Sequence, residues 1–133
     1  MKQVRHLLEK ANLRPTRQRL ALGDLLFTGQ DRHVTAEALH EEAVAKNMAV
    51  SLATVYNTLH QFTEAGLLRQ IAVNGSKAFF DTNTSNHYHF YSERDGHITD
   101  IPNDEIEVVG LPTAPEGMEI SRVDVIVRLA KKS

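Results

Sequence analysis

The sequence predicts an α+β fold: an N-terminal winged helix-turn-helix over residues 1–84, followed by a small α/β domain over residues 85–133. Three observations carry this. Apolar residues recur at helical spacing up to Gly66, the pattern then switches to two alternating runs on either side of Asn74-Gly75, and a stretch rich in Val and Ile closes the chain.

Residues 3–10 read as a first helix, and Pro15 suits the first turn of a second, where its missing N–H costs nothing. That helix should run to about Phe27, with Leu22, Leu25 and Leu26 as its apolar face and Gly29-Gln30-Asp31 as its break. Thr35 can cap a third helix carrying Ala36, Leu39, Ala43 and Val44 on one side and ending near Asn47. Ser51 can cap a fourth, with Leu52, Val55, Leu59 and Phe62 inward and Gly66 as a left-handed stop. LLRQIAV and SKAFFDT around Asn74-Gly75 read as a hairpin, the wing. The same order of elements also fits other small α+β domains.

Beyond the wing, His87 to Ser92 alternates as a strand, Asp95-Gly96 reads as a hairpin turn and HITDI as the partner strand. Residues 103–109 suggest a short helix, Pro112 and Pro115 bracket a loop, and Met118 to Leu129 reads as a closing strand. About fifty residues make a poor independent core, so a homodimer is expected, with the second copy supplying the missing burial.

Composition narrows the chemistry. The 133 residues are 41% hydrophobic and 24% charged, the balance of a folded chain. There is no cysteine, which excludes disulfides, thiolate zinc sites and thiol redox sensing. No run reaches the roughly 18 apolar residues of a membrane span, and the polar start MKQVRHLLEK lacks a signal peptide's apolar core; a cytoplasmic location and no membrane partner are expected. Charge is uneven. Residues 1–70 hold nine Lys/Arg against seven Asp/Glu, and residues 71–133 hold six against ten, so an anion would be met at the N-terminal end.

With Val55, Leu59 and Phe62 inward, rotation of about 100° per residue turns Ser51, Thr54, Asn57 and Gln61 outward and leaves Tyr56 at the flank. Short hydroxyl and amide side chains with one aromatic suit a helix that reads base edges, and Arg14, Arg17 and Arg19 supply nearby phosphate-neutralising charge. The partner so implied is a double-stranded DNA operator. His87 and His89, two apart on a strand, would project from one face about 6.6 Å apart at the backbone. Such a pair fits one shared ion or haem edge, and equally fits ordinary surface histidines.

The runs RPTRQR, HVTAEALHEEA and SLATVYNTLHQFTEAGLL resemble the DNA-binding half of the ferric uptake regulator family, over roughly residues 11–91 and more weakly beyond. The resemblance implies DNA contacts at Arg14, Thr16, Arg19, Ser51, Thr54 and Tyr56, with Asn57 standing where the family usually has Arg. It implies a sensory metal, iron(II), manganese(II) or zinc, held by His33, Asp81, His87 and His89. The family's structural cysteine zinc site is absent, since Ser92 and Asp95 occupy the cysteine positions. A further family metal site is absent too, with Asn86, Tyr88 and Val123 in its places.

The lack of cysteine, NHYHFY and the stretch IEVVGLPTAPEGMEISRVDVIVRL are similar to a subgroup, the iron response regulators of alphaproteobacteria, which respond to haem. That implies a transcriptional repressor of haem synthesis and iron homeostasis genes, with His87 and His89 as haem ligands and Tyr88 or Tyr91 as contributors. A zinc-, manganese- or peroxide-responsive member of the same family is the alternative. A small metal-dependent hydrolase is the remote one, because no general base or anion cradle accompanies the histidines.

Overall fold

The computed structural model describes residues 2–74, 77–102 and 104–132. The chain divides into two compact units, Met1–Thr84 and Ser85–Ser133. The first holds helices α1 (Lys2–Lys10), α2 (Arg17–Phe27), α3 (Ala36–Ala45) and α4 (Leu52–Glu64). It also holds strands β1 (His33–Val34), β2 (Arg69–Asn74) and β3 (Lys77–Asp81), in the sheet order β1-β3-β2. Its core is continuous: Leu8, Leu22, Leu26, Leu39, Val55, Leu59, Phe62 and Phe80 are all buried to within 1% exposure.

The helix ends follow local chemistry. Thr16, Thr35 and Ser51 each cap a helix by accepting from the backbone N–H three residues on, satisfying a donor the helix leaves open. Pro15 therefore lies just ahead of the α2 cap, not in the first turn as expected. Three helices stop alike: Asn12 and Asn47, both at φ 61°, and Gly66 at φ 83° take the left-handed conformation. Behind them the N–H groups of Leu13, Met48 and Leu67 return to the carbonyls of Leu8, Ala43 and Phe62 at 2.9, 3.0 and 2.9 Å. The sequence marks only Gly66 as a left-handed stop, although it ends the third helix near Asn47; asparagine tolerates this conformation less conspicuously than glycine.

Two residues assigned to buried stripes are exposed. Val44 is 52% and Leu52 42% accessible. Val44 lies a full residue's rotation past the Ala36–Leu39–Ala43 line, and Leu52 sits in the first turn of α4, before that helix reaches the core. Thr58 joins the α4 stripe instead, its hydroxyl donating to the Thr54 carbonyl at 2.8 Å so that no polar atom is stranded. β1 has two residues, too few for any alternation to show, and exists because it pairs with β3: His33 opposite Asp81 and Val34 opposite Phe80. β2 and β3 pair antiparallel as expected, but Gly75 and Ser76 of the anticipated hairpin turn lie outside the described residues.

The second unit is a three-stranded sheet of β4 (Tyr88–Ser92), β5 (His97–Ile101) and β6 (Ile126–Leu129), in the order β5-β4-β6. β4 and β5 are antiparallel, joined by a four-residue turn closed by the Gly96 N–H donating to the Ser92 carbonyl at 2.8 Å. β6 runs parallel to β4 and pairs only opposite His89–Ser92. The closing strand is therefore four residues and not the twelve of Met118–Leu129, since a strand extends only where a ladder partner exists. His87 precedes β4. The short helix expected at 103–109 is not formed among the described residues; with no surface on which to bury its apolar side, so short a helix gains too little to hold.

Gly23 sits inside α2, where glycine normally weakens a helix by about 1 kcal/mol relative to alanine. A Cβ there would lie 2.6 Å from Cγ1 of Val4, which is 1% exposed in the α1–α2 contact. Gly23→Ala is expected to lower stability by about 1–3 kcal/mol, because the forced separation of two packed helices outweighs the gain in helix propensity. Urea denaturation of the two proteins measures it, and a stabilised variant would show that α1 yields freely.

Candidate DNA-reading face and histidine–carboxylate centres

Val55, Leu59 and Phe62 have no exposed surface, which fixes the rotation of α4 and turns Tyr56, Asn57 and Gln61 to the outside. α2 packs alongside so that its N-terminal turn faces the same groove. Arg14, Thr16, Arg19, Thr54 and Asn57 line that groove together, with Gln61 completing it. The Arg19 guanidinium is held there, donating to Gln61 Oε1 through Nε at 3.3 Å and Nη2 at 3.1 Å, and to the Arg14 carbonyl through Nη1 at 2.9 Å. The carboxamide thus orients a cation without neutralising it. Gln61 turned outward in the sequence reading without any role; this clamp across forty-two residues carries no sequence signal.

Ser51 and Tyr56 lie apart from that groove. The Ser51 hydroxyl is committed to the cap of α4, accepting from the Thr54 N–H at 3.1 Å and donating to Thr54 Oγ1 at 3.0 Å. Tyr56, 46% exposed, borders a second groove with Thr35, Lys77 and Phe80 from α3 and the wing. His40, left without a role by the sequence, places Nε2 3.1 Å from the Val50 carbonyl and ties α3 to the turn before α4.

In the first unit, pairing of β1 with β3 sets His33 Nε2 3.1 Å from Oδ2 of Asp81, a carboxylate with 1% exposure. Asp81 Oδ1 accepts the Asn83 N–H at 2.9 Å, which fixes the plane of the carboxylate. β1 is anchored from the preceding residue: Arg32 donates to both Glu42 oxygens and to the Leu25 carbonyl, and its N–H donates to Thr82 Oγ1 at 2.9 Å. The hydrogen bonds to Glu42 hold the Arg32 guanidinium above its ordinary pKa.

In the second unit, His87 and His89 are 6% and 3% exposed, with ring centroids 4.4 Å apart. His87 Nδ1 lies 2.7 Å from the Ser85 carbonyl, an acceptor only, so Nδ1 donates there and Nε2 is the edge presented to β5. That Nε2 lies 3.2 Å from Asp100 Oδ1, and His89 Nε2 lies 3.4 Å from the same oxygen. Two imidazole nitrogens and a carboxylate oxygen therefore converge, a donor set that a divalent cation can bind. Donors bound about 2.0–2.2 Å from one tetrahedral cation stand roughly 3.3–3.6 Å from each other, close to the 3.2 and 3.4 Å seen. Asp100 escaped the sequence reading because it lies on a different strand, opposite His89 only through the β4–β5 register.

The sequence profile of the Ferric uptake regulator family matches residues 10–128. The chain is 34% identical over 102 residues to the peroxide-responsive repressor PerR of Staphylococcus epidermidis, covering 77% of this chain and 67% of that protein. It is likewise 34% identical over 94 residues to PerR of Staphylococcus aureus, covering 71% of this chain and 63% of the relative's length. Among solved structures, the ferric uptake regulator of Pseudomonas aeruginosa with manganese is similar at a TM-score of 0.75 and 26% identity, with 98% of each chain covered. The Campylobacter jejuni peroxide stress regulator is similar in fold at a TM-score of 0.62 and 22% identity, covering 99% and 96%.

Proposed function

We propose, for a chain that belongs to the ferric uptake regulator family of transcription regulators and is not an enzyme, that it represses transcription as a homodimer whose operator affinity is set by a divalent cation. In this reading residues 1–84 bind the DNA operator and residues 85–133 pair the copies and hold the effector. Arg14, Thr16 and Arg19 neutralise phosphates, Thr54, Tyr56 and Asn57 reach base edges, and Ser51 sets the start of the reading helix. The cation ligands of this reading are His33 and Asp81 in the first unit and His87 and His89, joined by Asp100, in the second.

The observation that carries this is the convergence of His87 Nε2, His89 Nε2 and Asp100 Oδ1, two nearly inaccessible imidazoles on one carboxylate oxygen. Burial of a carboxylate is costly unless it is paired, and Asp81, 1% exposed, stands 3.1 Å from His33 Nε2. Nitrogen and oxygen donors without thiolate suit iron(II), manganese(II) or zinc. Haem, the effector carried by the resemblance to iron response regulators, needs an imidazole open to a broad flat ring. The His87 and His89 side chains are 5% and 4% exposed, which favours a small ion.

Homodimerisation through residues 85–133 is supported by apolar side chains left in solvent there, among them Val109 at 74% and Met118 at 70% exposure. For the signal, two readings are supported by different observations. NHYHFY and the C-terminal stretch favour iron homeostasis, and the 34% identity to peroxide-responsive repressors favours peroxide. Zinc has no redox chemistry and iron(II) does, so the metals separate the two. Among the described residues no helix is long and apolar enough to cross a membrane.

Manganese(II) is expected to tighten binding to a duplex selected by the protein from random sequence by at least tenfold over chelator, with the same factor appearing in metal affinity when DNA is added. Both effects should vanish in His87→Ala/His89→Ala and shrink in Asp100→Ala. A Soret band with haem, lost in the double variant and accompanied by the DNA response, would put haem in the cation's place. Peroxide should release DNA from the iron-loaded but not the zinc-loaded protein if peroxide is the signal.

Tyr56→Ala is expected to weaken the selected duplex by about 1–3 kcal/mol, whereas Arg19→Ala should weaken all sequences alike and flatten the salt dependence of binding. Fluorescence anisotropy over a salt series separates these behaviours. Sedimentation should find a dimer at micromolar protein, and Val109→Asp/Met118→Asp should shift it toward monomer; a wild-type monomer on and off DNA would overturn the dimer.

A further inference from the structure

Tyr56 presents a large side chain to solvent at 46% exposure, and among the described residues its hydroxyl has no hydrogen bond. An exposed tyrosine on a helix ordinarily exchanges between rotamers, and ordering it at an interface costs free energy. Here it does not stand alone. One turn further along α4, the His60 ring lies against it with centroids 4.5 Å apart and planes inclined at 58°. His60 in turn meets Phe80 edge to face, centroids 5.5 Å apart and planes at 89°. Phe80 is 1% exposed and locked in β3 between Val34 of β1 and Gln70 of β2. The three rings form a ladder from the immobile core of the winged unit to the edge of the reading helix.

We propose that His60 is a positioning residue for DNA binding, which holds Tyr56 in the orientation it uses on the operator by stacking between Tyr56 and Phe80. The inference rests on the reading of α4 as the DNA-reading helix and adds to it a residue that touches no DNA. Offset and edge-to-face aromatic contacts have preferred geometries and stabilise beyond the apolar area they bury. The spacing of four residues brings 56 and 60 onto one line of the helix. Phe80, fixed between two strands, supplies the stop without which His60 would move with Tyr56. The role needs a flat ring at position 60, and neither a proton nor a charge there.

The test uses the full-length manganese-loaded chain and the duplex it selects from a random pool. His60→Ala should lose three- to tenfold in affinity, the range to which an aromatic pair's energy converts, while His60→Phe stays within about twofold of wild type. In a Tyr56→Ala background the His60→Ala substitution should cost nothing more, since there is no ring left to place. Without DNA, His60→Ala should also shift the Tyr56 ring-proton resonances toward those of a solvated tyrosine, with the far-UV circular dichroism unchanged. Unmoved Tyr56 resonances, a loss that His60→Phe fails to rescue, or additive losses in the double variant would each overturn the positioning role. Wild-type affinity in Tyr56→Ala alone would overturn the reading of α4, and the inference with it.

Discussion

The burial of Phe62 orders more of this protein than any other contact. Its side chain has no exposed surface, its ring meets Phe27 at 5.7 Å, and its carbonyl accepts the Leu67 N–H that ends α4. Because Val55 and Leu59 are buried on the same stripe, α4 has one rotation available, and the side chains facing solvent are settled by the same packing that excludes water beneath. The left-handed Gly66 then turns the chain directly into β2. From β2 the ladder sets β3, and β3 sets where Asp81 and Phe80 stand. Core packing thus determines both the candidate reading face and half of the candidate effector chemistry.

That chemistry is an unusual load for a small chain. Asp81, His87 and His89 are all nearly inaccessible, in a protein with no cysteine to supply softer ligands. Buried polar groups persist in folded proteins when their partners are in place. Here the partners are a backbone amide for Asp81 and a backbone carbonyl for His87, each fixing one edge of the side chain and presenting the other. Backbone groups orienting a ligand from behind are a common device at metal sites, because they set tautomer and direction without competing for the ion.

The second unit shows the opposite balance. Its buried apolar residues are few, Tyr91, Ile98 and Ile101, while Val109, Leu111, Met118 and Ile120 stand in solvent. A sheet of three strands with two open edges and an irregular connection from Glu105 to Val125 gains little from its own burial. The same shortage accounts for the absence of a helix at 104–109 and for a closing strand of only four residues. Both fail where the chain offers no surface to cover.

The sequence by itself determined the elements whose causes are local. Thr35 and Ser51 cap helices because a hydroxyl before an apolar periodic run can do little else, and Gly66 stops one because glycine bears that backbone angle without strain. The β4–β5 hairpin and the inward stripe of α4 were legible for the same reason: their signal lies within a few residues. The motifs resembling the family marked His33, Asp81, His87 and His89 as candidates, although no local rule connects them. Tertiary structure alone decided β1, the Arg19–Gln61 clamp, the Tyr56–His60–Phe80 ladder, and Asp100 beside the two histidines. Each joins residues distant in the chain or on different strands, and such pairs are brought together by packing and ladder register. Their proximity follows from the free energy of the whole fold and leaves no periodicity behind for a reader of the chain to find.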